Sequence, residues 1–142
     1  MKSVEVSRHI DASPEAVASY LTPETIILLE GTFSIHSVEE EHDDVLVEAK
    51  AKGVSATFRF EELAAGYRYE QAGEEGPFDE METTLRYEPK GDGVTVIMTA
   101  TISLGIRPRA LFERIGAWKR KGEMDRALKS LDRAVQNEHN TH

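Results

Sequence analysis

Cysteine is absent from the 142-residue sequence. This absence excludes disulfides, thiolate metal sites and thiol catalysis. Positive charge is also scarce, because 17 lysines and arginines face 26 aspartates and glutamates, which gives a net charge of −9. A polyanion is repelled by the average field of such a protein, so we expect no nucleic-acid partner.

Long apolar runs are missing as well. No stretch approaches the roughly 18 uncharged apolar residues that a membrane span requires, and residues 1–5 do not begin a signal peptide. We therefore expect no transmembrane segment and a cytoplasmic location. The length suits a single domain, whose core needs neither a disulfide nor a metal ion.

The N-terminal part predicts a strand followed by two short helices. Alternating apolar residues indicate a strand over residues 3–10. Ser13-Pro14 and Thr22-Pro23 are typical of helix starts, since a hydroxyl caps the helix and proline fits its first position. The first helix is expected to end near residue 21 and the second near residue 29, before Gly31.

From Phe33 to Ile102 the apolar period is two, which predicts six strands. Each strand has one polar and one apolar face, as in an antiparallel sheet that is covered on one side. The turns are short, and Gly91-Asp92-Gly93 predicts a tight hairpin. A helical period returns after Pro108, so a C-terminal helix covers the sheet. The fold class is α+β.

This order, together with Ile10-Asp11-Ala12-Ser13-Pro14-Glu15-Ala16-Val17, resembles the START-like superfamily, which includes polyketide cyclase-like proteins. The middle of the chain, residues 53–60 and 91–96, is similar to the branch that is named after a subunit of carbon monoxide dehydrogenase. The resemblance implies a helix-grip fold, in which a curved antiparallel sheet of about seven strands wraps around a C-terminal helix and encloses a cavity. We expect one such domain over residues 1–136 and a disordered tail over 137–142. The fold alone implies no single function.

The inward face of the predicted sheet is rich in aromatic residues and methionine. Under a covering helix such side chains either line a ligand cavity or form an ordinary core. Buried tyrosines require hydrogen-bond partners, which suits the few polar anchors of a pocket. The candidate cavity-lining residues are Phe58, Phe60, Tyr67, Tyr69, Met81, Thr83, Leu85, Met98 and Trp118.

No catalytic residue, metal site or cofactor motif stands out. The five histidines fall in a turn, in the polar tail or on the solvent phase of strands, and the acidic clusters fit a solvated surface. An enzyme of the cyclase or aromatase type would depend on Tyr67, Tyr69 and Arg8 as proton shuttles.

One segment is basic in this acidic chain. It contains a single acid, Glu113, among Arg107, Arg109, Arg114, Lys119, Arg120 and Lys121. Either it is a solvated helix face, or it docks an acidic protein partner, an anionic ligand head group or a membrane surface. The partner would bind through Arg114, Lys119, Arg120 and Lys121.

The C-terminal helix carries two apolar stripes that lie nearly opposite each other at 100° per residue. One is Leu111, Ile115, Trp118 and Gly122, and the other is Met124, Leu128, Leu131 and Val135. A straight helix cannot bury both, which predicts a break or kink at Gly122. Residues 123–136 would then grip the sheet, and residues 108–121 would form a mobile basic segment.

Three functions remain in order of preference. The first is binding or transport of a small hydrophobic ligand in the cavity. The second is an interaction or assembly module for a larger enzyme, and the third is a cyclase-type enzyme.

Overall fold

A computed structural model describes residues 2–51, 53–72, 80–103 and 109–140, with side chains described for 81–103 and 117–137 in the last two of these ranges. The elements follow the predicted order. They are β1 (Lys2–Ile10), α1 (Pro14–Tyr20), α2 (Pro23–Glu30), β2 (Ser34–Glu41), β3 (Asp44–Ala51), β4 (Val54–Leu63), β5 (Gly66–Ala72), β6 (Glu80–Lys90), β7 (Gly93–Ser103) and α3 (Arg109–Asn140). The α+β class is confirmed.

The seven strands form one antiparallel sheet in the order β1-β7-β6-β5-β4-β3-β2. Strands β2 to β7 are a meander of hairpins, because each pairs with its neighbour in sequence. Strand β1 lies on the far side of β7, where Lys2 pairs with Ile102 and Ile10 with Val94. The inner face is apolar, and α3 packs on it mainly through β1 and β7.

The two short helices begin and end as the local sequence predicts. The Ser13 hydroxyl accepts a hydrogen bond from the Ala16 amide, and Thr22 caps α2 in the same way. Gly31 ends α2 with a φ of +81°, a left-handed conformation that favours glycine. This turn leaves Glu30, the last residue of α2, buried beside α3.

Helix α3 runs without interruption from Arg109 to Asn140, so the predicted break at Gly122 is wrong. The apolar side chains that it buries form one stripe, which contains Met124, Leu128, Leu131 and Val135. In the opposite stripe, Trp118 and Gly122 are exposed, while Leu111 and Ile115 lie outside the described side chains. Within the described part, α3 is thus one continuous helix that buries a single apolar face. Mobility of residues 108–121 stays a prediction.

The same helix corrects the predicted tail. Residues 137–140 continue α3 and are not disordered, while residues 141–142 lie outside the described residues.

Charged side chains are frequent along α3. Within the ranges that the structure describes, no helix combines the length and apolar character needed to cross a bilayer.

Candidate ligand-binding site

The inner face of the sheet brings together most of the predicted lining residues. Seven are almost fully buried, namely Phe58, Phe60, Tyr69, Met81, Thr83, Leu85 and Met98. Their aromatic rings are in contact. The ring of Tyr69 stacks on Phe60 with centroids 4.5 Å apart, and Phe58 meets Tyr69 edge-on at 6.4 Å. These contacts suit both a packed core and the wall of a pocket.

A polar cluster lies inside this apolar layer, and we call it the Arg120 cluster (Arg120, Glu30, Tyr69, Thr83 and Glu123). The Arg120 side chain is 2% exposed and that of Glu30 is 4% exposed. The guanidinium holds the Glu30 carboxylate in a two-pronged ion pair, with Nη1–Oε2 at 2.8 Å and Nη2–Oε1 at 2.9 Å. Such paired geometry is the strongest arrangement available to arginine and a carboxylate.

The remaining contacts of the cluster come from the sheet and from α3 itself. Nη2 of Arg120 also donates to the Tyr69 hydroxyl at 2.9 Å and to the Thr83 hydroxyl at 2.8 Å. The Tyr69 hydroxyl donates to Glu30, and Nη1 of Arg120 lies 3.5 Å from a carboxylate oxygen of Glu123. The cluster thus ties α2, α3, β5 and β6 together at one point.

Burial shapes the acid–base properties of the cluster. Desolvation, followed by the charge of Glu30, holds the pKa of the Tyr69 hydroxyl well above its ordinary value of 10.0. Desolvation alone would lower the pKa of Arg120, but the charge of Glu30 and the hydrogen bonds to its carboxylate outweigh desolvation and raise that pKa. Tyr69 is therefore a protonated hydrogen-bond donor at neutral pH, and Arg120 is a cation.

One donor in the cluster is left over. Nε of Arg120 is buried, and among the described residues it has no hydrogen-bond partner. Most buried polar groups in proteins are hydrogen-bonded, so this atom marks a place where an acceptor is expected.

The burial of Arg120 corrects its predicted place on a solvent-facing basic surface. Arg120 lies four residues before Met124 and eight before Leu128, and therefore on the buried stripe of α3. In the sequence, that spacing indicated that Arg120 lies on the buried face of the helix. The prediction missed it because Arg120 stands in the basic run Lys119-Arg120-Lys121. Arg120 cannot contact an acidic partner, while Lys119 and Lys121 are exposed. The side chain of Arg114 lies outside the described residues.

Trp118 is 78% exposed, so its prediction as a cavity residue is wrong. It stands two residues before Arg120, which is 200° around the helix and thus on the opposite face. A groove of about 370 Å³ runs along that outer face. Its described lining residues are Trp118, Lys119, Lys121, Gly122, Asp125 and Arg126.

Two residues of the enzymatic hypothesis lie away from the cluster. Arg8 is half-exposed, and its Nε contacts Asp132 of α3 at 2.7 Å. Its strand lies three strand spacings from β5, about 14 Å along the sheet. Tyr67 is half-buried at a separate cleft of about 110 Å³, which it shares with Leu21 and Tyr87. Burial, then Glu62, raises the Tyr67 pKa.

The remaining titratable candidates are at the surface. His9, His36 and His42 are exposed, while the side chains of His139 and His142 lie outside the described residues. Within the described ranges, no group of three or more histidine, aspartate or glutamate side chains is arranged to hold a metal ion.

A family model for polyketide cyclase / dehydrase and lipid transport proteins matches residues 1–136. The chain belongs to this family. The match spans the residues predicted as one START-like domain, and the helix-grip architecture is confirmed by the seven-stranded sheet and its C-terminal helix.

Solved structures of the same fold cover nearly the whole chain. Protein TTHA0849 from Thermus thermophilus is 24% identical, with a TM-score of 0.73, and the match covers 96% of this chain and 98% of that chain. XoxI from Bacillus cereus is 17% identical with a TM-score of 0.72, covering 98% and 99%. A START superfamily protein from Mycobacterium smegmatis is 14% identical with a TM-score of 0.68, covering 95% and 97%.

At these identities the structural likeness establishes the fold alone. A search of the curated proteins gives no match to this member of the family. The finer resemblance to the carbon monoxide dehydrogenase branch stays a prediction.

Proposed function

We propose that the protein binds a small hydrophobic ligand between the inner face of its sheet and α3. The observation that carries the proposal is the Arg120 cluster, a charged group enclosed by aromatic side chains and methionine. A buried ion pair contributes little to stability, because desolvation offsets much of the attraction. Ligand pockets, in contrast, combine an apolar lining with a few placed polar groups. The family description, which includes lipid transport, supports the same function.

A dye titration tests this function directly. Nile red, a neutral apolar dye, should bind saturably at one site with micromolar affinity, and native mass spectrometry should report the same stoichiometry. A protein that neither binds the dye saturably nor carries a co-purified small molecule would contradict the proposal.

A matched pair of variants locates the site. Ala100 is fully buried on the inner face, directly opposite Thr83 across the β6–β7 ladder, whereas its neighbour Thr99 faces outward. Ala100→Leu adds volume to the inner face and should weaken dye binding about tenfold, a change of ~1.4 kcal/mol. Thr99→Leu should leave the affinity unchanged. Circular dichroism checks that both variants are folded, because overpacking itself costs about 1–3 kcal/mol.

A second candidate function is docking of an acidic protein partner on the outer face of α3. The exposed Trp118 favours it, since tryptophan is enriched at protein–protein interfaces. Lys119 and Lys121 flank it and are exposed. In affinity purification, the wild type and a Lys129→Glu control should recover the same acidic protein, and Lys119→Glu/Lys121→Glu should lose it. Equal recovery by all three proteins would contradict docking at this surface.

A further inference from the structure

We infer that the Arg120 cluster selects an apolar ligand that carries a neutral hydrogen-bond acceptor, such as a ketone or ester oxygen, and that Nε of Arg120 donates to this oxygen. The inference rests on the proposed function, because it names the class of ligand for the same site. It follows from the hydrogen bonds, the charge and the surroundings of the cluster.

The hydrogen bonds leave one donor for a ligand. Both Nη atoms of Arg120 contact carboxylate or hydroxyl oxygens inside the cluster. The hydroxyl of Tyr69 donates to Glu30, and that of Thr83 donates to the sulfur of Met81. Nε of Arg120 is buried, and none of the described residues accepts its proton. A buried N–H without an acceptor is unfavourable, so the matching ligand group is an acceptor.

The charge of the cluster decides which acceptor fits. Arg120 supplies one positive charge, while Glu30 and Glu123 supply two carboxylates, and all three side chains are buried. A carboxylate or phosphate on the ligand would bring another negative charge into a site that already has an excess of them. Burying a charge without a partner is costly, whereas a ketone or ester oxygen adds none. The site therefore favours a neutral acceptor over an anion.

The side chains around the Arg120 cluster determine the chemical character of the rest of the ligand. Phe58 and Phe60 contact the ring of Tyr69, and Met81 and Leu85 are buried on the same face. These side chains offer contact area and no charge. The body of the ligand is therefore apolar, and its oxygen is the group that the cluster orients.

Three probes of similar shape separate the effect of the hydrogen-bond acceptor from the effect of its charge. Ethylnaphthalene, acetylnaphthalene and naphthoate, substituted at the same ring carbon, differ in having no acceptor, a ketone and a carboxylate. Measured by displacement of Nile red, acetylnaphthalene should bind about tenfold more tightly than ethylnaphthalene, and naphthoate should bind no better than ethylnaphthalene.

The outcomes distinguish the inference from the function on which it rests. Equal binding of the ethyl and acetyl probes overturns the anchor and leaves ligand binding intact. Tightest binding of naphthoate overturns the charge argument. Failure of all three probes and of Nile red removes the proposed function together with the inference.

A variant tests the named residues. Replacing Arg120 alone would leave Glu30 buried without its partner, so the variant replaces both with methionine and adds Glu123→Gln. This glutamine keeps an acceptor for the Thr32 hydroxyl, which donates to Glu123. The triple variant should bind ethylnaphthalene like the wild type and lose the tenfold preference for acetylnaphthalene. The control Lys119→Met, on the exposed face, should keep it. A preference that survives in the triple variant overturns the role of Arg120.

A measurement on the wild type covers the case in which the triple variant does not fold. The NMR signal of the Arg120 Nε–H group should shift when acetylnaphthalene is added and stay in place with ethylnaphthalene. An unchanged signal in the presence of bound acetylnaphthalene overturns the hydrogen bond.

Discussion

Replacing Arg120 with methionine leaves the Glu30 carboxylate inside the protein without its cation. Both side chains are less than 5% exposed, and the guanidinium makes two bonds to Glu30 and one each to Tyr69 and Thr83. Removing one partner from a buried ion pair costs about 3–5 kcal/mol. Because domains unfold at about 5–15 kcal/mol, we expect this one substitution to remove about a fifth or more of the stability.

Urea unfolding followed by far-ultraviolet circular dichroism measures this loss. With a slope of about 2 kcal/mol per molar urea, a loss of ~4 kcal/mol lowers the midpoint by about 2 M. Lys119→Met removes a positive charge from the exposed side of the same helix and should change stability by less than about 0.5 kcal/mol.

The paired variant Glu30→Met/Arg120→Met supplies the decisive comparison. It removes both buried charges and replaces them with apolar side chains, so it should recover most of the stability lost by Arg120→Met. A loss below about 1 kcal/mol in Arg120→Met would refute the reasoning, since the pair would then not be enclosed as described. A paired variant as unstable as the single one would refute it as well.

Three further predictions concern a glycine, a tyrosine and an ion pair. Gly122→Ala should raise the thermal midpoint by the equivalent of about 0.5–1 kcal/mol, because Gly122 is inside a continuous helix and its added Cβ meets no atom within 4 Å. A lower midpoint would indicate a break at this residue. Tyr69 keeps its proton in the folded state beyond pH 10.0, where the unfolded chain releases it, so its contribution to stability is present below that pH and is lost as pH rises. Alkaline unfolding curves should therefore fall less steeply for Tyr69→Phe, and identical slopes would contradict the raised pKa. Asp132→Asn should cost less than about 1 kcal/mol in urea unfolding, since its partner Arg8 is 40% exposed, and a larger loss would contradict a surface pair.

The sheet was predictable because its information is local. Each strand alternates apolar and polar side chains, and a shift by one residue would turn its apolar face to water. The helix starts at Ser13 and Thr22 are equally local, since each hydroxyl caps an amide three residues ahead. Neither signal depends on distant contacts.

Trp118 and Arg120 show where such reasoning failed. Hydropathy assigns tryptophan to the interior and arginine to the surface, but the two stand 200° apart on α3 and only one can face the sheet. Arg120 lies on the same buried stripe as Met124 and Leu128, so Arg120 is the residue that faces the sheet. What makes its burial tolerable is Glu30, 90 residues away in sequence, and no local pattern contains that pairing.

Glu30 did carry a weak local signal. It is the last residue of α2, where the negative end of the helix dipole disfavours a carboxylate. A residue that conflicts with its local setting is often required by a distant contact or by function. In this chain the contact is Arg120, and the acidic residue before Gly31 was the clue to it.

The pairing of the first strand with the last one constrains how the protein is made. Lys2 pairs with Ile102, so 100 residues of chain separate the two partners. At about 5–20 residues per second, β1 is synthesised some 5–20 s before its partner β7. The hairpins from β2 onward pair strands that are neighbours in sequence, whereas β1, with its apolar Val4, Val6 and Ile10, has no partner strand until β7 has been synthesised. The domain closes only after β7 has been synthesised, and its N-terminal strand is the segment that a chaperone would have to protect.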